Sequence, residues 1–249
     1  MTVQIVPQIE KDSIYKIIEA GERLDGRKFD EYRKIEIDIG IYKRAEGSAR
    51  VKIGKTMVAC GIKLGEAVPY KDSPDEGTLT TTAELVPMAS PTFQPGPPDE
   101  NAIELARVVD RGIREAKTID LKKLCITPGE KVRSVFIDTY VLDHDGNFMD
   151  AAALGAIVAL HNAISPDIGK LPVSKKPIAN TFVKLGKNIL LDPSLAEERV
   201  MDARLTITTD EDGNIVANQK AATGYWTKDE VMECVEMAFK KGKELRKLF

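Results

Sequence analysis

Short segments of alternating apolar and polar residues run through this chain of 249 residues and predict a series of β-strands. Isoleucine stands at positions 35, 37, 39 and 41, separated by polar residues or glycine. The apolar runs 49–53 and 56–64 are joined by Gly54 and Lys55, which predicts a hairpin. Further strands are predicted at 78–86 and 131–143, the latter central in a sheet, and two more hairpins at 181–191 and 202–220.

Other segments carry the longer period or the end signals of helices. Asp12 is predicted to be the N-cap of a short amphipathic helix, and Thr227 with Glu230 forms a capping box for the last helix. The segment from Phe148 is apolar nearly all round, which is typical of a buried helix. The predicted helices cover about 12–21, 99–117, 148–164 and 227–248. This mixture of helices and hairpins predicts an α+β fold.

The composition narrows the class of protein. No stretch of 18 apolar residues exists, so no membrane span is predicted, and the acidic residues of the first apolar segment argue against a signal peptide. The three cysteines are odd in number and lack CxxC spacing, which predicts neither disulfides nor zinc and favours a cytoplasmic location. A net charge of −3 means that any contact with RNA is local or shared with a partner.

Four strings resemble the RNase PH family. They are RLDGR at 23–27, GSARVKIGKTMVACGIKLG at 47–65, PMASPTFQPGPPDENAIELARVVDRGIRE at 87–115 and DPSLAEERVMDARLTIT at 192–208. Within the family, PGPPDE and RVVDRGIRE are similar to an archaeal exosome ring subunit. The resemblance implies one RNase PH-like domain over 1–249, of the ribosomal protein S5 domain 2 type, with mixed sheets packed against helices. Its two halves are expected at about 30–166 and about 178–249.

The resemblance also implies a function. Such a subunit pairs with a catalytic RNase PH-like sister, and three of these heterodimers form a hexameric ring that degrades single-stranded RNA from the 3′ end by phosphorolysis. An RNA-binding cap protein sits on one face of the ring. The chain itself is expected to be non-catalytic and to bind no cofactor or metal. Inorganic phosphate, with magnesium as a further candidate, belongs to the partner.

The turn at 145–150 carries the argument against catalysis by this chain. Catalytic relatives hold phosphate where a strand turns into a helix, by a glycine followed by Ser or Thr and then Arg. Here Gly146 is present, but hydroxyl and arginine are missing, and Asp150 is expected to bring an unpaired negative charge toward the anion. The alternative interpretation is an ordinary connection between a strand and a helix.

A self-sufficient phosphorolytic 3′–5′ exoribonuclease is the alternative function, with Asp202 as its acid. Asp202 follows an acidic run at a place similar to that of the family's catalytic acid, but it could equally cap or pair at a strand edge. The segment 65–77 predicts a surface loop in which Lys71 is offset by Asp72, whereas catalytic sisters place arginines there. A small-molecule kinase, suggested by the alanine-rich run 151–156, lacks a glycine- and serine-rich nucleotide loop.

The candidate RNA-binding residues are Arg107, Arg111 and Arg114. Their spacing places them within about 60° on one side of the helix 99–117. The resemblance assigns this string to a helix that contacts RNA. The alternative is ion pairing within the helix, through Glu104–Arg107, Asp110–Arg114 and Arg111–Glu115.

Overall fold

The computed structural model describes residues 8–249, which form five α-helices and twelve strands. The helices are α1 (Gln8–Glu19), α2 (Glu100–Glu115), α3 (Phe148–His161), α4 (Leu195–Val200) and α5 (Lys228–Leu245). The first six strands are β1 (Ile35–Ile39), β2 (Gly47–Ile53), β3 (Thr56–Ala67), β4 (Thr78–Leu85), β5 (Cys125–Thr127) and β6 (Lys131–Asp143). The others are β7 (Ile164–Ser165), β8 (Gly169–Lys170), β9 (Ile178–Leu185), β10 (Asn188–Leu191), β11 (Ala203–Thr209) and β12 (Ile215–Ala221).

The first sheet has the strand order β1-β2-β3-β6-β4, with β5 paired to β6. The predicted hairpin about Gly54 is confirmed, because β2 and β3 pair antiparallel with Val51 opposite Val58. The central position predicted for 131–143 is confirmed as well, since β6 lies between β3 and β4. The pairing of β4 with β6 is parallel.

Helix α3 fills the centre of the molecule. All of its residues from Phe148 to Leu160 are buried, as the continuous apolar sequence predicts. Small residues let the sheet approach closely: a Cβ at Gly155 would lie 2.8 Å from Sγ of Cys60 on β3. Larger side chains at this position would therefore push helix and sheet apart.

The second sheet, β10-β9-β11-β12, confirms the two predicted C-terminal hairpins. Every residue of β9 is buried, because α3 and α5 both contact this strand. The capping box of Thr227 and Glu230 is present at the start of α5, which packs Cys234 and Ala238 against Phe182. Helix α2 contacts both sheets, through β4 and β12. It therefore lies between the two sheets.

Several predicted boundaries are wrong. Asp12 is not an N-cap, since α1 already includes Gln8, whose side-chain amide donates to the Asp12 carboxylate. The predicted loop 65–77 begins later, because β3 continues to Ala67 opposite Val132. Helix α3 ends at His161, and Ile164 belongs to β7.

One face of β6 is open to solvent. It includes Phe136 and Tyr140, whose side chains have exposed fractions of 37% and 38%.

No helix within residues 8–249 is both long enough and apolar enough to cross a membrane.

Candidate nucleic-acid interface

Helix α2 is fixed in place by its first turn and its buried side. The Asp99 carboxylate accepts a hydrogen bond from the backbone N–H of Ala102 at 2.9 Å, which satisfies a donor that the helix leaves free. Leu105, Val109 and Gly112 are buried on the inner side. The opposite side of the helix faces outward and carries the three arginines.

The three arginines differ in what they contact. Arg107 is exposed, and its guanidinium makes no hydrogen bond or ion pair with any residue of the described range 8–249. Arg111 is half-buried and donates to the Asn218 carbonyl and the Gln219 side chain on β12, at 3.3 and 3.4 Å. Arg114 donates to the Asp110 carboxylate at 3.0 Å and to the Leu79 carbonyl at 3.1 Å.

The pairing expected within the helix is therefore present in one place. Asp110 holds Arg114, but Glu104 pairs with Arg204 on β11 at 2.6 Å instead of with Arg107. Arg107 and Arg111 line a groove of about 520 Å³ between α2 and β12. The groove thus has one free guanidinium and one that is weakly engaged.

The turn at Gly146 is closed by the chain itself. Gly146 has a left-handed φ of 88°, and a Cβ there would lie 2.4 Å from the backbone carbon of Ser194 and 2.5 Å from Leu195 N. Its carbonyl accepts from the Thr56 hydroxyl at 2.6 Å and from Arg33 at 3.1 Å. The backbone here approaches too closely to admit another group.

Asp150 does not behave as the sequence predicts. It is 2% exposed and is not unpaired, because its carboxylate accepts hydrogen bonds from the Tyr32 hydroxyl, the Asn147 amide, and both the hydroxyl and the backbone N–H of Thr181. Burial raises the pKa of this carboxyl to about 6, against the opposing effect of these donors. Asp150 thus joins α3 to β9 by hydrogen bonds, and the expectation that it carries an unpaired charge is wrong.

Asp192 is the centre of the polar network behind the turn. Its carboxylate accepts from Arg33 at 2.8 and 2.9 Å, from Arg27 at 3.0 Å and from the Asn147 amide at 2.7 Å. Asn147 has a left-handed φ of 51°, and its backbone N–H donates to Glu198 at 2.8 Å. Burial raises the pKa of Glu198 to about 7. The charges of this region are neutralised within the chain.

The N-terminal arginines are the residues that sequence reasoning missed. Arg23 is buried and forms a two-point ion pair with Glu197 at 2.6 and 2.8 Å. The sequence identifies RLDGR only as part of a family string, although its arginines meet residues of another such string, DPSLAEERV. A short charged segment of this kind gives no local signal of burial.

Asp202 is engaged on both carboxylate oxygens. One oxygen accepts from the Tyr15 hydroxyl at 2.8 Å and the other from the Gly186 backbone N–H at 2.8 Å. Burial and this contact with Asp202 raise the pKa of Tyr15. The Asp202 side chain thus links α1 to the hairpin of β9 and β10. This agrees with the alternative interpretation, in which Asp202 caps or pairs at a strand edge. Within residues 8–249, no group of three or more His, Cys, Asp or Glu side chains is arranged to hold a metal ion.

Lys71 and Asp72 lie in the exposed loop after β3, as expected for a surface segment. Tyr70 of this loop lies close enough to Arg114 to raise the pKa of that guanidinium, although the hydrogen bond to Asp110 is the larger cause.

Models for the two domains of the 3′ exoribonuclease family match residues 31–166 and 176–241. The chain is 51% identical to the protein of Thermococcus kodakarensis named Exosome complex component Rrp42, over 98% of this chain and 95% of that protein. It is 50% identical to the protein of the same name from Methanocella arvoryzae, over 99% of this chain and 97% of that one.

A solved structure described as the Archaeoglobus fulgidus exosome with RNA bound to the active site contains a chain with the same architecture. That chain is 48% identical, the match covers 97% of this chain and 98% of the other, and the TM-score is 0.94. A chain in a structure described as an archaeal exosome core has a TM-score of 0.88 at 45% identity, covering 96% of this chain and 95% of that one.

Proposed function

Because this chain belongs to the 3′ exoribonuclease family, the RNase PH family, we propose that it is a non-catalytic ring subunit of an archaeal exosome. It pairs with a catalytic RNase PH-like subunit, and three such pairs form a hexamer that degrades RNA from the 3′ end by phosphorolysis. The names of the similar proteins and the RNA at the active site of a similar exosome support this proposal.

The closed turn at Gly146 is the observation that carries the proposal. Phosphorolysis needs a held phosphate, which requires donors aimed at an open position. Here the turn is packed against Ser194 and Leu195, and the Asn147 N–H donates to Glu198. Arg33, the nearest guanidinium, is held by Asp192 and backbone carbonyls. We therefore assign the binding of inorganic phosphate, and of any magnesium, to the partner.

The chain's own part in the reaction is to position the partner and to contact RNA. Arg107 and Arg111 present guanidinium groups to the groove beside α2. Guanidinium groups that contact phosphates do not read the base, so this contact would be independent of RNA sequence. We place the ring in the cytoplasm, with an RNA-binding cap protein on one face. The free state of all three cysteines agrees with a reducing compartment.

Co-expression with the catalytic sister tests the assignment. The mass of the assembly should be that of three heterodimers, and the ring should release nucleoside diphosphates from RNA in the presence of phosphate. The chain alone should release none, because no anion site is open at Gly146. Robust release by the homogeneous chain, abolished by Asp202→Asn, would contradict the proposal and favour a self-sufficient exoribonuclease.

Charge reversal in the assembled ring tests the contact with RNA. We expect Arg107→Glu, Arg111→Glu and Arg114→Glu together to weaken RNA binding and slow degradation, although no catalytic group is changed. The logarithm of the affinity decreases linearly with the logarithm of the salt concentration. For every phosphate that the ring no longer neutralises, the magnitude of this slope should decrease by about 0.7. Arg107→Gln is the cleanest single change, since Arg107 has no partner within residues 8–249.

Two controls accompany this experiment. A ring with Glu104→Gln, Asp110→Gln and Glu115→Gln shows what loss of ion pairs around the helix does by itself. Arg50→Gln removes an exposed arginine on β2 that is paired with Asp38, far along the sheet from α2. An intact ring in which the arginine variants keep wild-type affinity and salt slope would show that these side chains are a solvated helix face.

A further inference from the structure

A second groove lies at the C-terminal end of α2, beyond Arg107 and Arg111, and Arg114 lines it. Its volume is about 680 Å³, larger than the groove that Arg107 and Arg111 line. Its apolar lining comes from Leu79, Ile113 and Ile119, which are each at most 6% exposed, and from the half-buried Leu121. Four cations and two carboxylates surround this surface: Arg114, Lys117, Lys122, Lys175, Glu76 and Asp120. An apolar floor with a cationic rim suits nucleotides, which combine a flat base with a charged phosphate.

Most of these cations already have partners. Arg114 is held by Asp110, Lys122 lies 3.7 Å from Asp75, and Lys175 lies 2.9 Å from Asp212. Lys117 is exposed and has no ion pair or side-chain hydrogen bond within residues 8–249. Like Arg107 near the middle of α2, it is a free cation on a groove wall.

The backbone at Lys117 makes this free cation unusual. Lys117 has a left-handed φ of 52°, and its N–H donates to the Arg114 carbonyl while the Thr118 N–H donates to the Ile113 carbonyl. These two bonds define a helix ending in which glycine is the usual residue, because a Cβ strains this conformation. A lysine thus stands where the backbone favours glycine, and strained positions of this kind are found most often at functional sites.

We propose that this second groove binds the continuation of the RNA strand, with Lys117 contacting a phosphate and the apolar floor contacting a base. The proposal rests on the proposed function, since it needs RNA on α2. Lys117 follows the end of α2, ten positions after Arg107. This separation corresponds to about 15 Å at the helical rise of about 1.5 Å per residue. Arg111 lines the first groove and Arg114, three positions further along α2, lines the second.

Lys117→Gly offers a sharp test, because it removes the cation and also relieves the backbone strain of a left-handed φ at a residue with a Cβ. In the assembled ring, the melting temperature should be unchanged or higher, whereas binding of an oligouridylate long enough to span both grooves should weaken. The magnitude of the slope of log affinity against log salt should decrease by about 0.7. The ratio of wild-type to variant affinity should therefore shrink about 2.6-fold when salt rises fourfold. Lys117→Arg should keep the wild-type slope.

Lys187→Gln is the matched control, because Lys187 is exposed, has no ion pair or side-chain hydrogen bond within residues 8–249, and does not line the groove. Equal loss of affinity in Lys187→Gln and Lys117→Gly would overturn the proposal, since the effect would then be one of general charge. Wild-type affinity and slope in Lys117→Gly would overturn it too. So would a changed ring mass with unchanged RNA binding, which would identify the groove as a protein contact. Arg107→Gln, measured in parallel, separates failure of this groove from failure of the whole RNA assignment.

Discussion

The turn at Gly146 and the outer side of α2 both carry charged residues, but the two regions use them differently. Behind the turn, Arg33 is paired with Asp192, and the Asp150 carboxylate is surrounded by donors. On α2, Arg107 has no partner within residues 8–249, and Arg111 makes only long contacts. Residue type alone therefore does not separate the two regions, whereas the presence or absence of a partner for each charged group does.

The largest expected effect tests whether the charges behind the turn are structural. Asp192→Ala leaves the buried Arg33 and the half-buried Arg27 without this carboxylate, which should lower the free energy of unfolding by about 3–5 kcal/mol. Urea unfolding of the purified chain measures it. Asp38→Ala, which removes an exposed pair with Arg50, should cost about 1 kcal/mol or less. Equal costs for the two variants would show that the charges behind the turn stabilise the fold no more than an exposed ion pair does.

The second effect concerns the pH dependence of the same network. The folded pKa of Asp150, about 6, lies above its ordinary value of 3.8, so the folded chain holds this proton more tightly than the unfolded chain. The stability from Asp150 is therefore present below pH 3.8 and is lost as pH rises toward 6. The loss is about 3 kcal/mol at most.

Asp150→Asn should remove this slope, although it lowers stability at every pH because an amide replaces a carboxylate that accepts four hydrogen bonds. The measurement is the difference between wild type and variant in urea unfolding from pH 4 to 7. Comparing the two proteins cancels the contribution of Glu198, whose pKa is also raised. A difference that stays constant across this range would mean that Asp150 is ionised throughout.

The smallest effect concerns the paired end of α2. Asp110→Asn breaks the ion pair with Arg114 and should lower stability by about 0.3–0.5 kcal/mol. In the assembled ring, RNA affinity should rise slightly, because Arg114 then loses its carboxylate partner and keeps only the hydrogen bond to the Leu79 carbonyl. Thermal unfolding and RNA titration measure the two effects. A fall in RNA affinity would indicate that Asp110 serves to orient Arg114 toward RNA.

Local pattern predicted much of the fold. The hairpin about Gly54, the buried α3 and the capping box at Thr227 depend on neighbouring residues, and all three are confirmed. The predicted RNase PH-like α+β fold is confirmed by the similar exosome chains. The parallel pairing of β4 with β6 was not predicted, because residues 86–130 separate these strands and local periodicity does not report which distant strands meet.

The site was predictable only where partners are close in sequence. The pair Asp110–Arg114 follows from spacing, but Glu104 finds Arg204, 100 positions away, and Asp150 finds Tyr32, 118 positions away. Such partners depend on the finished fold. The roles of Arg107, Arg111 and Arg114, and the division into halves at about 30–166 and 178–249, stay predictions.

The buried pair of Arg23 and Glu197 has a consequence for how the chain is made. The two residues are 174 positions apart, and Arg33 meets Asp192 across 159. Synthesis releases the N-terminal segment first, so these arginines leave the ribosome long before the carboxylates that neutralise them exist. Contacts over such separations form slowly, because a long loop must close first. The N-terminal segment therefore docks late, and until it does, the newborn chain carries exposed arginines that the finished protein hides.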